Sequence, residues 1–285
     1  MKRGLLTSVC VLSGLILSGC GGGGGGELTG AGGAPTITTT PTNVSTTISS
    51  IPSQQLASFG DGASAERFVS SDGLLYTGIF DDPLLKSVIE NEAYTVSGTP
   101  TSGSANGVNY QTISATQTSD AAQLDIYVNG IFLANNETVS IALIKSSSYG
   151  YALVSVGTQL TSIPASAVSY NGNASVIEVA SNGAVTSENG QFTLSIDLAD
   201  LNPVGTLSTS GMSTFQFASG NVALDKNTGN LTSPAGVSIG RINGTQQTAN
   251  LFGSLYGTDA RGVAGVIRST GNTPATYIGT FYGKR

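Results

Sequence analysis

Few residues in this chain are equipped to do chemistry. It has two cysteines, Cys10 and Cys20, and no histidine. Cys20 ends the stretch Leu17-Ser18-Gly19-Cys20 and is followed by six glycines, Gly21 to Gly26. The acidic pairs are Asp81-Asp82 and Asp197 with Asp200. Two carboxylates at a set separation could support glycoside hydrolysis. Asp81-Asp82 is better explained as a helix cap, and Asp197 as part of an exposed strand face. Asp61-Gly62 and Asp72-Gly73 offer oxygen ligands but lack the rest of a calcium loop. Haem ligation would fall to Met212 or one of the ten tyrosines, all better explained by packing. Without histidine there is no Ser–His–Asp or Cys–His set, no imidazole ligand for a metal, and no side chain with an unperturbed pKa between pH 5 and 8. We therefore expect no catalytic residues, no metal site and no cofactor.

Cys20 is the exception, because its surroundings define a reaction. Lys2 and Arg3 give a basic start, and Leu5 to Leu17 is mostly apolar. At ~1.5 Å per residue such a helix reaches about 20 Å, short of the ~30 Å hydrocarbon core. A cleavable export signal fits better than a spanning helix. The stretch from Leu17 to Cys20 resembles the bacterial lipoprotein signal, in which the cysteine is acylated and becomes the new N-terminus. The expectation is a signal peptide over 1–19 and lipid on Cys20. Several acyl chains hold firmly at ~0.8 kcal/mol per buried CH₂. Gly21 in place of Asp after the cysteine points to the outer membrane.

Cleavage also removes Cys10, so the mature chain can form no internal disulfide. The formal charge of −6 falls to −8 when Lys2 and Arg3 leave. The basic residues are scattered singly apart from the termini, which argues against nucleic acid as a partner. Charged residues are 10% of the chain, against about 25% in an average domain. Ser, Thr, Asn, Gln and Gly supply the polarity instead.

Residues 20–57 read as the lipidated cysteine and a flexible tether. Gly, Ser, Thr and Pro dominate, with too little apolar area to offset the entropy of ordering. A coil of ~37 residues spans roughly 30–35 Å. From Ser58 onward the chain reads as globular and mainly β. The clearest strand is Gln191–Leu198, where Phe192, Leu194, Ile196 and Leu198 alternate with polar residues. Further strands are expected at Gln123–Phe132, Val139–Lys145, Tyr151–Gly157, Ser175–Ser181, Thr214–Gly220, Val237–Ile242, Ala249–Gly257, Gly262–Arg268 and Ala275–Gly283. Turns are expected at Asn171-Gly172, Asn182-Gly183, Asn189-Gly190, Asn243-Gly244 and Gly271-Asn272. Asp81 to Glu90, with Pro83 near its start, carries a short-helix signature. The expected architecture is a β-rich, handle-like subdomain over 58–161, with that helix and less regular strands. An eight-stranded antiparallel β-barrel follows over 162–285, with a sandwich as the alternative.

The C-terminal residues narrow this further. Gly253-Ser254-Leu255-Tyr256-Gly257, Ala264-Gly265-Val266 and Gly279-Thr280-Phe281-Tyr282-Gly283-Lys284-Arg285 resemble the barrel of the transferrin-binding protein B family. There a "G-x-F-Y-G-x-x-A-x-E-x-G-G" stretch forms late strands and an "F-G-A-K-R"-like strand closes the chain. Gly190 to Leu207 is similar to that family's "F-x-V-D-F … G-T-L" hairpin. Factor H-binding protein and haemophore-like surface lipoproteins share this barrel. Two departures stand out. Arg261-Gly262-Val263-Ala264 replaces the family's acidic residue, and one barrel is present rather than two lobes. The resemblance implies a non-enzymatic surface lipoprotein. Its partners would be the membrane, through Cys20, an extracellular protein such as an iron carrier or haem protein, and an outer-membrane transporter or translocator. It does not extend to transferrin itself, and no partner-binding residue maps onto this chain. A structural or adhesive envelope role is the alternative. The glycines among Phe252, Tyr256, Tyr277, Phe281 and Tyr282 are expected to let aromatic rings pack across them.

Overall fold

The computed structural model describes residues 63–71, 73–105, 108–133, 137–197, 201–209, 215–217, 220–234, 236–241, 244–271 and 275–285. Cys20 and the expected tether lie outside them. Two antiparallel sheets follow each other along the chain. The first has seven strands: β1 (Ser64–Val69), β2 (Leu74–Phe80), β3 (Tyr94–Ala105), β4 (Val108–Gln117), β5 (Gln123–Phe132), β6 (Thr138–Ser146) and β7 (Gly150–Thr158). Their spatial order is β1-β2-β7-β6-β5-β4-β3. The helix α1 (Pro83–Glu90) carries the chain from β2 to the far edge, and a meander brings it back beside β2.

The second sheet contains β8 (Val168–Ala180), β9 (Val185–Asp197), β10 (Asn202–Thr209), β11 (Phe215–Phe217), β12 (Ala223–Leu224), β13 (Asn230–Thr232), β14 (Val237–Ile239), β15 (Gln247–Tyr256), β16 (Gly262–Ser269) and β17 (Ala275–Lys284). A 3₁₀ turn, Thr258–Ala260, links β15 to β16. Eight of these strands curl into a near-closed barrel, as the sequence led us to expect. The last strand, β17, is hydrogen-bonded to β8 on one side and β16 on the other. At the opposite seam β11 comes alongside β14. β13 and β14 share the edge of β15. β13 pairs with Phe252 to Ser254, and β14 with Gln247 to Ala249. At the break between them the Ser233 hydroxyl accepts the Leu251 N–H at 2.7 Å, in place of a ladder carbonyl.

Three apolar layers hold this together, and each follows from strand alternation. On one face of the first sheet Tyr76, Phe80, Ile126, Ala142, Ile144, Ala152 and Val154 pack against Leu85, Val88 and Ile89 of α1. On the other face Leu75, Ile79, Val139, Ile141, Leu143, Tyr151 and Leu153 meet the outside of the barrel at Ile177, Tyr256, Ala264, Val266, Ile278 and Tyr282. The barrel lumen is filled by Tyr170, Val176, Phe192, Leu194, Ile196, Leu251, Val263, Ile267 and Phe281. β6, β7, β16 and β17 are covered on both faces, which is why their sequences read as apolar runs.

Two expected turns are strand interior instead. Gly172 lies within β8, between Phe192 of β9 and Gly283 of β17. A Cβ there would come within 2.0 Å of the Tyr282 carbonyl oxygen, so this glycine permits close strand approach rather than reversal. Gly190 likewise sits inside β9, between Ala174 and Thr209. The β8–β9 reversal is at Asn182-Gly183, with Gly183 at φ +81°. The first sheet is also more regular than expected, with β1 and β2 in continuous register.

Candidate functional site

Of the two acidic pairs, Asp81 and Asp82 are used to build the fold. Asp81 directly follows β2 and accepts the Tyr151 N–H on Oδ2 at 2.9 Å. Gly150, at φ +74°, makes room for it, since a Cβ there would lie 2.6 Å from that oxygen. Burial pushes the Asp81 carboxyl above its usual range, against the hydrogen bond from Tyr151 and the charge of Arg268. Asp82 is the N-cap of α1 and accepts the Leu84 N–H at 2.7 Å, as expected from the sequence. The two neighbours therefore face different donors. Asp197 is exposed at the end of β9. Asp200, Asp61, Asp72 and Met212 lie outside the described residues. No group of three or more His, Cys, Asp or Glu among the described residues could hold a metal ion.

The buried tyrosines are similarly committed. Tyr170 donates to the Ala260 carbonyl at 2.7 Å inside the barrel. Tyr256 projects outward into the layer between barrel and sheet, where its hydroxyl lies 2.8 Å from that of Ser155. Ser155 in turn reaches the Thr77 carbonyl at 3.0 Å. Burial pushes the Tyr256 phenol up to about 12, and raises Tyr170 and Tyr282 as well.

Other polar contacts clasp loops and were not legible in the sequence, because their partners are remote along the chain. Glu137 takes the Thr258 N–H at 2.9 Å and its hydroxyl as well, pinning the 3₁₀ turn to the first sheet. Ser162, in the linker between the sheets, reaches Asp259 at 2.7 Å. Arg67 of β1 donates to the Thr228 carbonyl across the junction at 2.8 Å. Arg241 and Glu178 form an ion pair at 2.6 Å. The Tyr149 hydroxyl and the Ala122 N–H hold the Asp120 carboxyl below its usual range. Asp225 is lowered in the same way by Asn227 and Thr228.

The outward side of β8 near its start, of β9 and of β10 is exposed at Ser169, Asn171, Gln191, Thr193, Ser195 and Val204, whereas Ile177 further along β8 lies under the first sheet. The exposed part carries hydroxyl pairs in register, Ser169 with Ser195 at 2.9 Å and Thr193 with Thr206 at 3.1 Å. Val204 is exposed beside them. Such a face offers hydrogen bonds in both directions and almost no charge.

No family model matches the chain, and no curated protein matches it. Among solved structures the chain is similar to intact transferrin binding protein B with its N and C lobes, at 9% identity and a TM-score of 0.40. That alignment covers 79% of this chain and 54% of the other. A transferrin binding protein B from Haemophilus parasuis matches at 11% identity and a TM-score of 0.42, over 78% and 53% of the two chains. The isotype 1 protein from serogroup B Neisseria meningitidis gives 12% and 0.36, over 79% and 66%. The chain thus spans about half the length of the first two.

Proposed function

We propose that this chain is a non-enzymatic binding protein, anchored by lipid on Cys20 to the outer membrane and displayed at the cell surface. In this reading residues 1–19 are removed and residues 20–57 are the leash. Residues 58–161 and 162–285 are the handle-like unit and the barrel. The partner is an extracellular protein, an iron carrier or haem protein being the class implied by the C-terminal resemblance, with delivery to an outer-membrane transporter. A translocator would bring the protein to the surface. The observation that carries the anchored reading is the run Leu17-Ser18-Gly19-Cys20 followed by glycines. Binding rather than catalysis is supported by Asp81 and Asp82, each spent on a backbone N–H. A structural or adhesive envelope role is the second reading, favoured by the uncharged hydroxyl pairs of β8 to β10.

The test combines labelling and shaving. Cells fed a radiolabelled fatty acid should label the wild-type protein and not Cys20→Ala, which should leave the membrane fraction. Protease added to intact cells should degrade the wild-type protein. Label on the Ala variant, or complete protection from protease, would defeat the anchored surface reading. Capture of one extracellular protein, lost on replacing the β9–β10 face, separates a receptor from an adhesin.

A further inference from the structure

The sequence holds six Asn-Gly pairs, at Asn106, Asn129, Asn171, Asn182, Asn189 and Asn243. Asn-Gly is the dipeptide most open to self-modification, because glycine has no side chain to shield its amide nitrogen. That nitrogen, once deprotonated, attacks the asparagine Cγ, and a five-membered succinimide forms as the Cγ–Nδ2 bond breaks and ammonia leaves. Water then adds to either imide carbonyl. The product is aspartate or, with the backbone rerouted through Cβ, isoaspartate. The sum is asparagine plus water giving acid plus ammonia, with no oxidant or enzyme required.

The fold sorts these pairs. Asn171-Gly172 is gripped on both sides, by Thr193 and Phe192 of β9 and by Lys284 and Gly283 of β17. Asn189 and Gly190 pair with Ser175 and Ala174 of β8, and Gly190 also with Thr209 of β10. Freeing either glycine amide means opening barrel ladders. Asn182 and Gly183 instead form the exposed tip of the β8–β9 hairpin. Gly183 donates one backbone hydrogen bond, to Ala180 at 2.8 Å, and among the described residues no neighbouring strand pairs with 181–184. The Asn182 carbonyl oxygen accepts the Ala184 N–H at 3.0 Å. That bond draws electron density from the carbon under attack.

We propose that Asn182 is a self-modification site, converting to aspartate and isoaspartate in the folded protein while Asn171 and Asn189 persist. Opening a single turn bond is far less costly than opening two ladders. Conversion adds a carboxylate at the barrel end that already holds the Glu178–Arg241 ion pair, and in the isoaspartate form it lengthens the backbone of the turn.

The intact chain, held in mildly alkaline buffer and sampled over time, is digested and mapped by mass spectrometry, with isoaspartate read by methyl transfer from a carboxyl methyltransferase. In the folded protein Asn182 should convert on the order of ten times faster than Asn171 or Asn189, or more. In urea the three should converge. Asn182→Gln should remove the early product and retain the fold by circular dichroism. Equal rates at the three sites in the folded chain would overturn the proposal. So would an Asn182 that stays intact when folded yet converts in urea.

Discussion

At the scale of single residues, the barrel depends on places where a side chain is missing. Gly253 and Gly265 face each other across β15 and β16, and the ring of Phe281 lies over both. A Cβ on Gly265 would fall 2.6 Å from Phe281 Cζ and 2.8 Å from the Gly253 Cα. Phe281 cannot simply retreat, because it stacks on Phe192 with centroids 4.7 Å apart. Gly265→Ala should therefore destabilise by about 1–3 kcal/mol, the usual cost of overpacking. Urea denaturation would read this as a lower midpoint at unchanged slope. Glycine among aromatics was visible in the sequence, and its packing role was expected. Which ring crosses which glycine was not, since that is set by register between strands far apart in the chain. The same blindness produced the two misplaced turns. Asn-Gly is a strong hairpin signal, but Gly172 permits close approach of a neighbouring backbone and Gly190 lies inside a paired strand.

Elements carry their own signals to different degrees. The helix was legible because everything it needs is local: Asp82 to cap it, Pro83 to start it, and Leu85, Val88 and Ile89 on one face. Its core-facing side seals the first sheet, so the cap matters beyond the helix. Asp82→Ala should cost about 0.5–2 kcal/mol, and Asp82→Asn or Asp82→Ser should recover most of it. Thermal unfolding of the three variants checks this. If Ala and Asn behave alike, Asp82 is not acting as a cap. The strands with clean alternation, β9 above all, were equally readable. β3 and β4 were not, because runs such as TSGSANGVNY carry few apolar residues. Their pairing is imposed by the neighbours. The outer strands of the first sheet are guarded against adding foreign strands. β3 is interrupted between Ser97 and Thr101, around Pro100. β1 is short and carries Glu66 and Arg67.

For the whole molecule, the decisive feature is the apolar layer between sheet and barrel. Tyr256 belongs to the barrel by sequence but is fully enclosed by the first sheet, beside Leu75, Leu153 and Ser155. Exposing either unit alone would uncover this layer, so the two should unfold as one. The pH dependence follows from the same residues. Without histidine, stability should be level between about pH 7 and about pH 9. Unfolded tyrosine ionises near pH 10, whereas folded Tyr256 waits until about 12, with Tyr170 and Tyr282 also raised. Over that window the unfolded chain has lost protons that the folded chain retains. Stability is complete below about pH 10 and falls as pH rises toward the folded values. Urea midpoints measured across this range should decline together by near- and far-ultraviolet circular dichroism. A flat profile, or two separated transitions, would contradict the shared core. That two units exist was legible from composition and helix placement. That they share a core was not, since β16 and β17 read simply as apolar and do not reveal what covers their second face.

The position of β17 has a consequence for biogenesis. β8 is made early and β17 at the very end of the sheet, yet each is the other's neighbour. While the polypeptide is being synthesised, β8 has a raw edge that nothing yet translated can satisfy. The cylinder therefore cannot lock strand by strand behind the ribosome. Closure of the barrel waits for the final segment, a long-range pairing that is intrinsically slow.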